Sequence, residues 1–226
     1  MSSHSLPHLK NEIVRYCRKL HSAGFVANHE GNITVKLNGV RFLATPTAMS
    51  KADVSESDLV IVNPAGKVVE GGRKVFSEIS MHLTVYAARE DAGAVVHAHS
   101  PCATALAIAG IPLDKPLVPE FVVSVGEEVP IAPFALPGTP LFNENLSKAF
   151  SEFDAVMLKN HGVIALGNTV EQAFLRLEHV EQMAKIFINT TLIGRRDELP
   201  GDALKELARA RKKAGLGREG RKRINF

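Results

Sequence analysis

The chain has 226 residues, of which 45% are hydrophobic and 23% charged, with a net charge of +3. That length holds one large domain or two small ones, and the balance excludes a disordered or fibrous chain. The two cysteines, Cys17 and Cys102, give no disulfide framework and point to a reducing, cytoplasmic setting.

The predicted elements alternate between helix and strand with no obvious linker. Leu6 to Ala23 is amphipathic and predicts a helix closed by Gly24. Asn32 to Val35 and Val40 to Thr45 flank Asn38-Gly39, a strong turn pair, and predict a hairpin. Leu59 to Asn63 and Val68 to Glu70 predict a second strand pair. Ser77 is placed to cap a helix running to about Glu90. Ala94 to Ala98 predicts a buried strand, and Pro101 opens the next helix, where a missing N–H is tolerated. Residues 112–138 are rich in proline and short apolar runs and predict strands and loops. A helix over Pro140–Phe150 precedes a strand over Ala155–Leu158, and a long helix runs from Val170 to Ile193. Residues 205–226 carry nine Lys/Arg against two Glu, so this tail is +7 and the remainder −4. It reads as a charged helix fraying into solvent, and without interleaved aromatics no nucleic-acid partner is expected. The N-terminal stretch lacks the apolar core of a signal peptide, and the longest apolar run, residues 103–113, is too short to span a bilayer, so no membrane partner is expected.

The most informative motif is His97-Ala98-His99 at the end of the strand at 94–98. Side chains alternate along a strand, so two imidazoles two positions apart point into one space. His161 stands just past the second apolar run, in Lys159-Asn160-His161-Gly162. Single histidines are mostly packing or surface residues. Three neutral imidazoles with an open position are the usual build of a catalytic zinc site.

These segments resemble the class II aldolase/adducin family. The matching stretches are Glu30-Gly31-Asn32-Ile33-Thr34, Thr45-Pro46-Thr47, Ser77-Glu78 with His82, Ala94 through Ser100, and Asn160-His161-Gly162, in family order over residues 10–193. The resemblance implies an α/β fold: a three-layer αβα domain with a mostly antiparallel central sheet and helices on both faces. It assigns residues 1–204 to that domain and 205–226 to a basic tail, and it implies a homotetramer with sites between subunits. It makes His97, His99 and His161 the ligands of Zn2+, with Mn2+, Co2+ or Fe2+ as substitutes. Glu78 becomes the acid/base, placed in the first turn of its helix and able to fill the open metal position when substrate is absent. Gly31, Asn32, Thr47, Ala48 and Ser77 become the substrate-binding residues. His82 reads as packing or support, not a fourth ligand.

Three departures from the fuculose-type members stand out. Ala48 replaces a glycine, and Phe76 replaces the first of two serines, removing a hydroxyl and adding bulk to the phosphate pocket. The family's tyrosine donors are missing, because Tyr16 and Tyr86 fall in predicted helices. The expected activity is a metal-dependent lyase cleaving a small sugar or ketose phosphate through an enediolate held on zinc. The alternatives are a sugar-acid decarboxylase or an epimerase of the same family, and a non-catalytic binding domain like the adducin head.

Overall fold

The computed structural model describes residues 5–38 and 40–217. Eight strands form one sheet: β1 (Asn32–Asn38), β2 (Arg41–Ala44), β3 (Val60–Val62), β4 (Val68–Glu70), β5 (Ala94–Ala98), β6 (Ile131–Ala132), β7 (Ala155–Leu158) and β8 (Gly162–Gly167). Their order is β4-β3-β2-β1-β5-β8-β7-β6. Every pair is antiparallel except β6 with β7. The helices are α1 (Leu6–Ser22), α2 (Ile79–Ala88), α3 (Pro101–Ala109), α4 (Pro119–Ser124), α5 (Pro140–Phe150), α6 (Val170–Ile193) and α7 (Gly201–Lys213).

Strand alternation divides the interior in two. Ile33, Val35, Ala94, Val96 and Ala98 face one core, shared with α1, α3 and α6. Val95, Val156, Leu158, Ile164 and Leu166 face the other, shared with α2 and α5. The result is the expected three-layer αβα arrangement, each sheet face covered by helices whose apolar stripe has no other place to go. Asn32, Thr34 and His97 fall on the α2 side by the same period of two.

The elements at 6–23, 140–150, 155–158 and 170–193 form as expected, and the hairpin forms too, although Gly39 lies outside the described residues. Three expectations are corrected. Ser77 is not the cap of α2: the helix begins at Ile79, and Glu78 takes the N-cap position without a side-chain hydrogen bond. The bridge between Pro46 and Val75 keeps the chain extended just before Ser77, which delays the helix. Residues 112–138 contain the helix α4, opened by Pro119, and only the two-residue strand β6. Finally, β8 follows His161 directly. All six of its residues are buried, so it lacks the polar alternation that marks a half-exposed strand.

The described part of the basic segment, residues 205–217, is anchored through Arg211. The boundary drawn at 204/205 falls inside α7. Arg211 of α7 donates to the Val123 carbonyl at 2.7 Å and to Asp154 at 2.6 Å. Asp154, fully enclosed just before β7, also meets Arg89 at 2.8 Å and Arg176 at 3.0 Å. Burial alone would raise this carboxyl, but the Arg176, Arg89 and Arg211 guanidiniums override it and hold it at about 2. One carboxylate therefore ties the end of α2, the start of α6 and α7 to the sheet. Residues 218–226, the remainder of the basic tail, lie outside the described residues.

This cluster sets an acid limit on stability. The Asp154 contribution is fully present above the unfolded carboxyl value of roughly 4, and it fades as pH falls toward about 2. Denaturant unfolding from pH 5 to 2 is expected to show a slope that Asp154→Asn lacks. Asp154→Ala is expected to cost about 3–5 kcal/mol at neutral pH, because it removes the acceptor shared by buried guanidiniums.

Candidate active site

The site forms where β1, β5, the β7–β8 turn and the start of α2 meet. Asn32 and His97 are direct partners across the β1–β5 pair, so both side chains leave the sheet on the α2 side at the same level. His97 is fully buried in β5, and His99 stands one residue past its end. His161 sits in the three-residue turn between β7 and β8, with Asn160 in the left-handed region at φ 57°. The three imidazole rings lie 4.8–5.0 Å apart, centre to centre, each tilted against the next. One nitrogen from each comes within 4.8 Å of the others, the spacing of a metal-binding group.

Two glycines make this approach possible for different reasons. Gly31 adopts φ +71°, and a methyl there would meet Val26 at 2.5 Å and the His97 carbonyl at 3.0 Å. Gly162 has ordinary backbone angles but no room: a methyl would lie 2.5 Å from the Ala98 carbonyl and 2.8 Å from the His99 ring. The residue after His161 must be glycine for the histidines to converge.

Glu78 reaches into the cluster from the N-cap of α2. One carboxylate oxygen, Oε1, is 2.8 Å from His161 Nε2, and Oε2 is 3.7 Å from His97 Nε2. Asn32 Nδ2 donates to Oε2 at 3.2 Å. Burial works against the charge of this carboxylate, but the His161 hydrogen bond, the neighbouring His97 and Asn32 hold it well below the usual carboxylate range. His97 is held neutral, first by its burial.

The donor set fits a divalent cation. His97 Nδ1 lies 2.9 Å from the Val163 carbonyl, which only accepts, so Nδ1 carries the hydrogen and Nε2 keeps its lone pair. His99 Nδ1 faces Glu30 at 3.4 Å, which favours the same tautomer. The two Nε2 atoms then face each other at 3.1 Å, lone pair to lone pair, with the Glu78 carboxylate alongside. A cation relieves that repulsion.

The other expected residues form a second group beside this one. Thr47 N donates to the Lys74 carbonyl at 3.0 Å, which brings Thr47 and Ala48 next to the chain leading to Ser77. Among the described residues, their side chains make no hydrogen bond to the histidines. Ala48 adopts φ 53°. Ser77 is exposed, at the open N-terminus of α2. Phe76 is corrected: its ring is buried in the α2-side core, 5.1 Å from the His82 ring, so its bulk goes inward and not into the pocket. Tyr16 bonds Glu171 at 3.0 Å on the other core, consistent with its absence from the chemistry.

Several residues around the site escape sequence reasoning. Lys51 is buried, and its ammonium donates to the carbonyls of Met49 at 2.9 Å and His29 at 3.3 Å, tying the Thr47–Ala48 loop to the Gly31 loop. Its burial lowers its pKa. Thr34 and Tyr86 line the site's back wall through His82. Alternation along Asn32-Ile33-Thr34 was the available signal for Thr34. A lysine between Ser50 and Ala52 gives no signal of burial.

The profile of the Class II Aldolase and Adducin N-terminal domain matches residues 11–188. The chain belongs to that family. It is 36% identical over 201 residues to a 5-deoxy-D-ribulose 1-phosphate aldolase of Bacillus thuringiensis serovar kurstaki, covering 88% of this chain and 93% of that protein. An L-fuculose phosphate aldolase of Methanococcus maripaludis is 30% identical, over 77% of this chain and 93% of its own. A 3-oxo-tetronate 4-phosphate decarboxylase of Pectobacterium atrosepticum is 31% identical, over 77% and 81%. Among solved structures, an L-fuculose 1-phosphate aldolase superposes with a TM-score of 0.83 at 32% identity, covering 92% of this chain and 98% of that one.

Gly162→Ala tests the packing argument. It is expected to lower stability by about 1–3 kcal/mol through overpacking and to reduce divalent-metal uptake. Thermal unfolding and metal stoichiometry after loading and desalting would measure both.

Proposed function

We propose that this chain is a divalent-metal-dependent lyase that cleaves a small ketose 1-phosphate by the reverse of an aldol addition. The observation that carries this reading is the Glu78 carboxylate held against three convergent histidines. His97, His99 and His161 would hold the cation, with Zn2+ our first choice. A cation there supplies Lewis-acid stabilisation for negative charge developing on the substrate's oxygens.

The residues of the chain do the rest. In the addition direction Glu78, anionic at rest, removes a proton from the carbon beside the substrate carbonyl. In the cleavage direction the bond between C3 and C4 breaks, C4 becomes an aldehyde, and the electron pair stays on C3. The C4 hydroxyl proton passes through water to the Glu78 carboxylate, and Glu78 delivers that proton to C3. Gly31, Asn32, Thr47, Ala48 and Ser77 would take the phosphate end. Left-handed backbone at Gly31 and Ala48 is the conformation of anion-binding nests. Asn32 Nδ2 keeps a second hydrogen after serving Glu78, and the uncapped start of α2 favours negative charge.

The aldolase relatives support a phosphorylated ketose, and the 5-deoxyribulose 1-phosphate enzyme supports a shorter sugar than fuculose. Decarboxylation of a phosphorylated keto acid is the second reading. It is favoured by one feature of this chain, the missing tyrosine donors, because loss of carbon dioxide has no C4 hydroxyl proton to move. A purely structural domain, as in the adducin head, has no use for a half-buried carboxylate against three imidazoles. The exposed apolar residues Phe134, Leu136 and Leu141 offer surface for the homotetramer the resemblance implies. No helix among the described residues is long and apolar enough to cross a membrane, and the free thiols Cys17 and Cys102 suit a cytoplasmic setting.

Glu78→Gln is expected to keep metal and substrate binding while turnover falls by roughly 10²–10⁴-fold. Exchange with solvent of the C3 proton of the three-carbon ketone phosphate, the donor in the addition direction, would measure it, and near-normal exchange would defeat the role. Replacing His97, His99 or His161 with alanine is expected to abolish stoichiometric metal, read by elemental analysis, with the fold retained. In a panel scored for aldehyde and carbon dioxide release, a 5-deoxypentulose 1-phosphate is expected to exceed fuculose 1-phosphate in kcat/KM. Preference for fuculose 1-phosphate by a wide margin would overturn the substrate assignment.

A further inference from the structure

Behind Glu78 runs a chain of buried polar side chains between β1 and α2. Asn32, Thr34, His82 and Tyr86 are all enclosed, His82 and Thr34 completely. His82 Nε2 is 2.5 Å from Asn32 Oδ1, and His82 Nδ1 is 2.8 Å from Thr34 Oγ1. The Tyr86 hydroxyl lies 3.0 Å from Thr34 Oγ1 and donates to the Thr34 carbonyl at 3.0 Å. Asn32 Nδ2 closes the row on Glu78 Oε2 at 3.2 Å.

Buried polar atoms must find partners, and here that requirement fixes a direction. An ionised Glu78 only accepts, so Asn32 must turn its amide nitrogen to it. Asn32 Oδ1 then faces His82 and accepts, so His82 must carry its hydrogen on Nε2. His82 Nδ1 is left as an acceptor, and the Thr34 hydroxyl donates to it. Reversing any member sets two acceptors or two donors against each other. The Phe76 ring packs on His82 at 5.1 Å and helps to exclude water from the row. Burial pushes the His82 imidazole down to about 3, so the ring stays neutral with one hydrogen to place.

We infer that His82 is a positioning residue: acting through Asn32, it fixes the Glu78 carboxylate so that Oε2 is pinned and Oε1, beside His161, is the oxygen that moves the proton. The inference rests on the proposed role of Glu78 in proton transfer. It gives the residue expected to be packing or support a defined role, as the orienting element of the acid/base. It also gives the Phe76 substitution a place, as cover for the row.

The test has two arms on the zinc-loaded protein. The first reads the His82 ring nitrogens by 15N NMR at neutral pH, with no activity required. The expected result is hydrogen on Nε2 and a bare Nδ1. Hydrogen on Nδ1, or a charged ring, overturns the inference. The second arm compares His82→Gln, whose amide can still donate to Asn32, with His82→Leu, which cannot. The Leu variant is expected to lose about 10–100-fold in kcat, the usual cost of removing an orienting partner, with KM and metal content unchanged. The Gln variant is expected to stay within about 3-fold of the parent, far less than such a loss. Equal losses in kcat, or a Leu variant at the parent's rate, overturn the inference, because a filler of space would not separate the two. The tautomer is read on the unmodified protein, so a Leu variant that misfolds does not leave the question open. Absence of turnover by the parent on every ketose and keto acid would sink the proposed reaction, and the tautomer would then decide the row by itself.

Discussion

The register between β1 and β5 sets Asn32 opposite His97, and the site depends on that pairing more than on any single bond. Side chains alternate with a period of two, so this register puts Asn32, Thr34 and His97 on the face covered by α2. A slip of one residue would send all of them into the opposite core and bring Ile33 and Val96 to the site. The slip is blocked from both sides, because Ile33, Val35, Val96 and Ala98 are needed in the core beneath α1 and α6. The same burial that stabilises the sheet therefore aims the polar residues. Glu78 then needs only the start of α2 to be placed correctly, and His82 locks that helix to β1.

Electrostatics add a second constraint. His97 and His82 are fully buried and neutral, so their nitrogens act as directed donors and acceptors and not as charges. Glu78 is the anion among them. A neutral imidazole in low dielectric keeps a lone pair available, which is what a cation requires of its ligands. The Val163 carbonyl beside His97 sets which of its nitrogens is available, and Glu30 beside His99 favours the same choice. The roles are thus distributed: the strands set position, the Val163 carbonyl and Glu30 bias the tautomers, and Glu78 carries the charge against His97 and His161.

Most of the fold is legible in the sequence wherever one face of an element is apolar. The amphipathic helix at 6–23 and the long helix at 170–193 announce themselves through a stripe. The histidine pair is legible because His97-Ala98-His99 obeys strand periodicity. β8 is harder to read, since Val163-Ile164-Ala165-Leu166 is buried on both faces and has no period. α4 is hidden because Pro119 and the valines around it favour extended chain in isolation, and tertiary packing overrides them. The links among Asn32, His82, Thr34 and Tyr86 are long-range, joining residues 48 to 52 apart in the chain. No local pattern encodes them. Only the register and the placement of α2 bring them together.

The departures from fuculose-type relatives take a different meaning once placed in space. Ala48 occupies a left-handed conformation that costs an alanine about 1–2 kcal/mol, and it does so because its surroundings impose the shape. Lys51 grips the Met49 carbonyl on one side, and Thr47 pairs with Lys74 on the other. The loop therefore keeps the backbone a glycine would give it and gains one methyl group. Phe76 loses a hydroxyl, but its ring turns inward to cover His82, so the pocket is not filled. Two of the three departures thus leave the shape of the site largely intact. The third concerns the tyrosines: Tyr16 bonds Glu171 in the other core and Tyr86 is buried against Thr34, so under the proposed reaction neither stands where the fuculose-type enzymes place their proton donor. Differences in substrate and reaction from the fuculose-type enzymes should accordingly originate at the departing end of the substrate, not at the phosphate end.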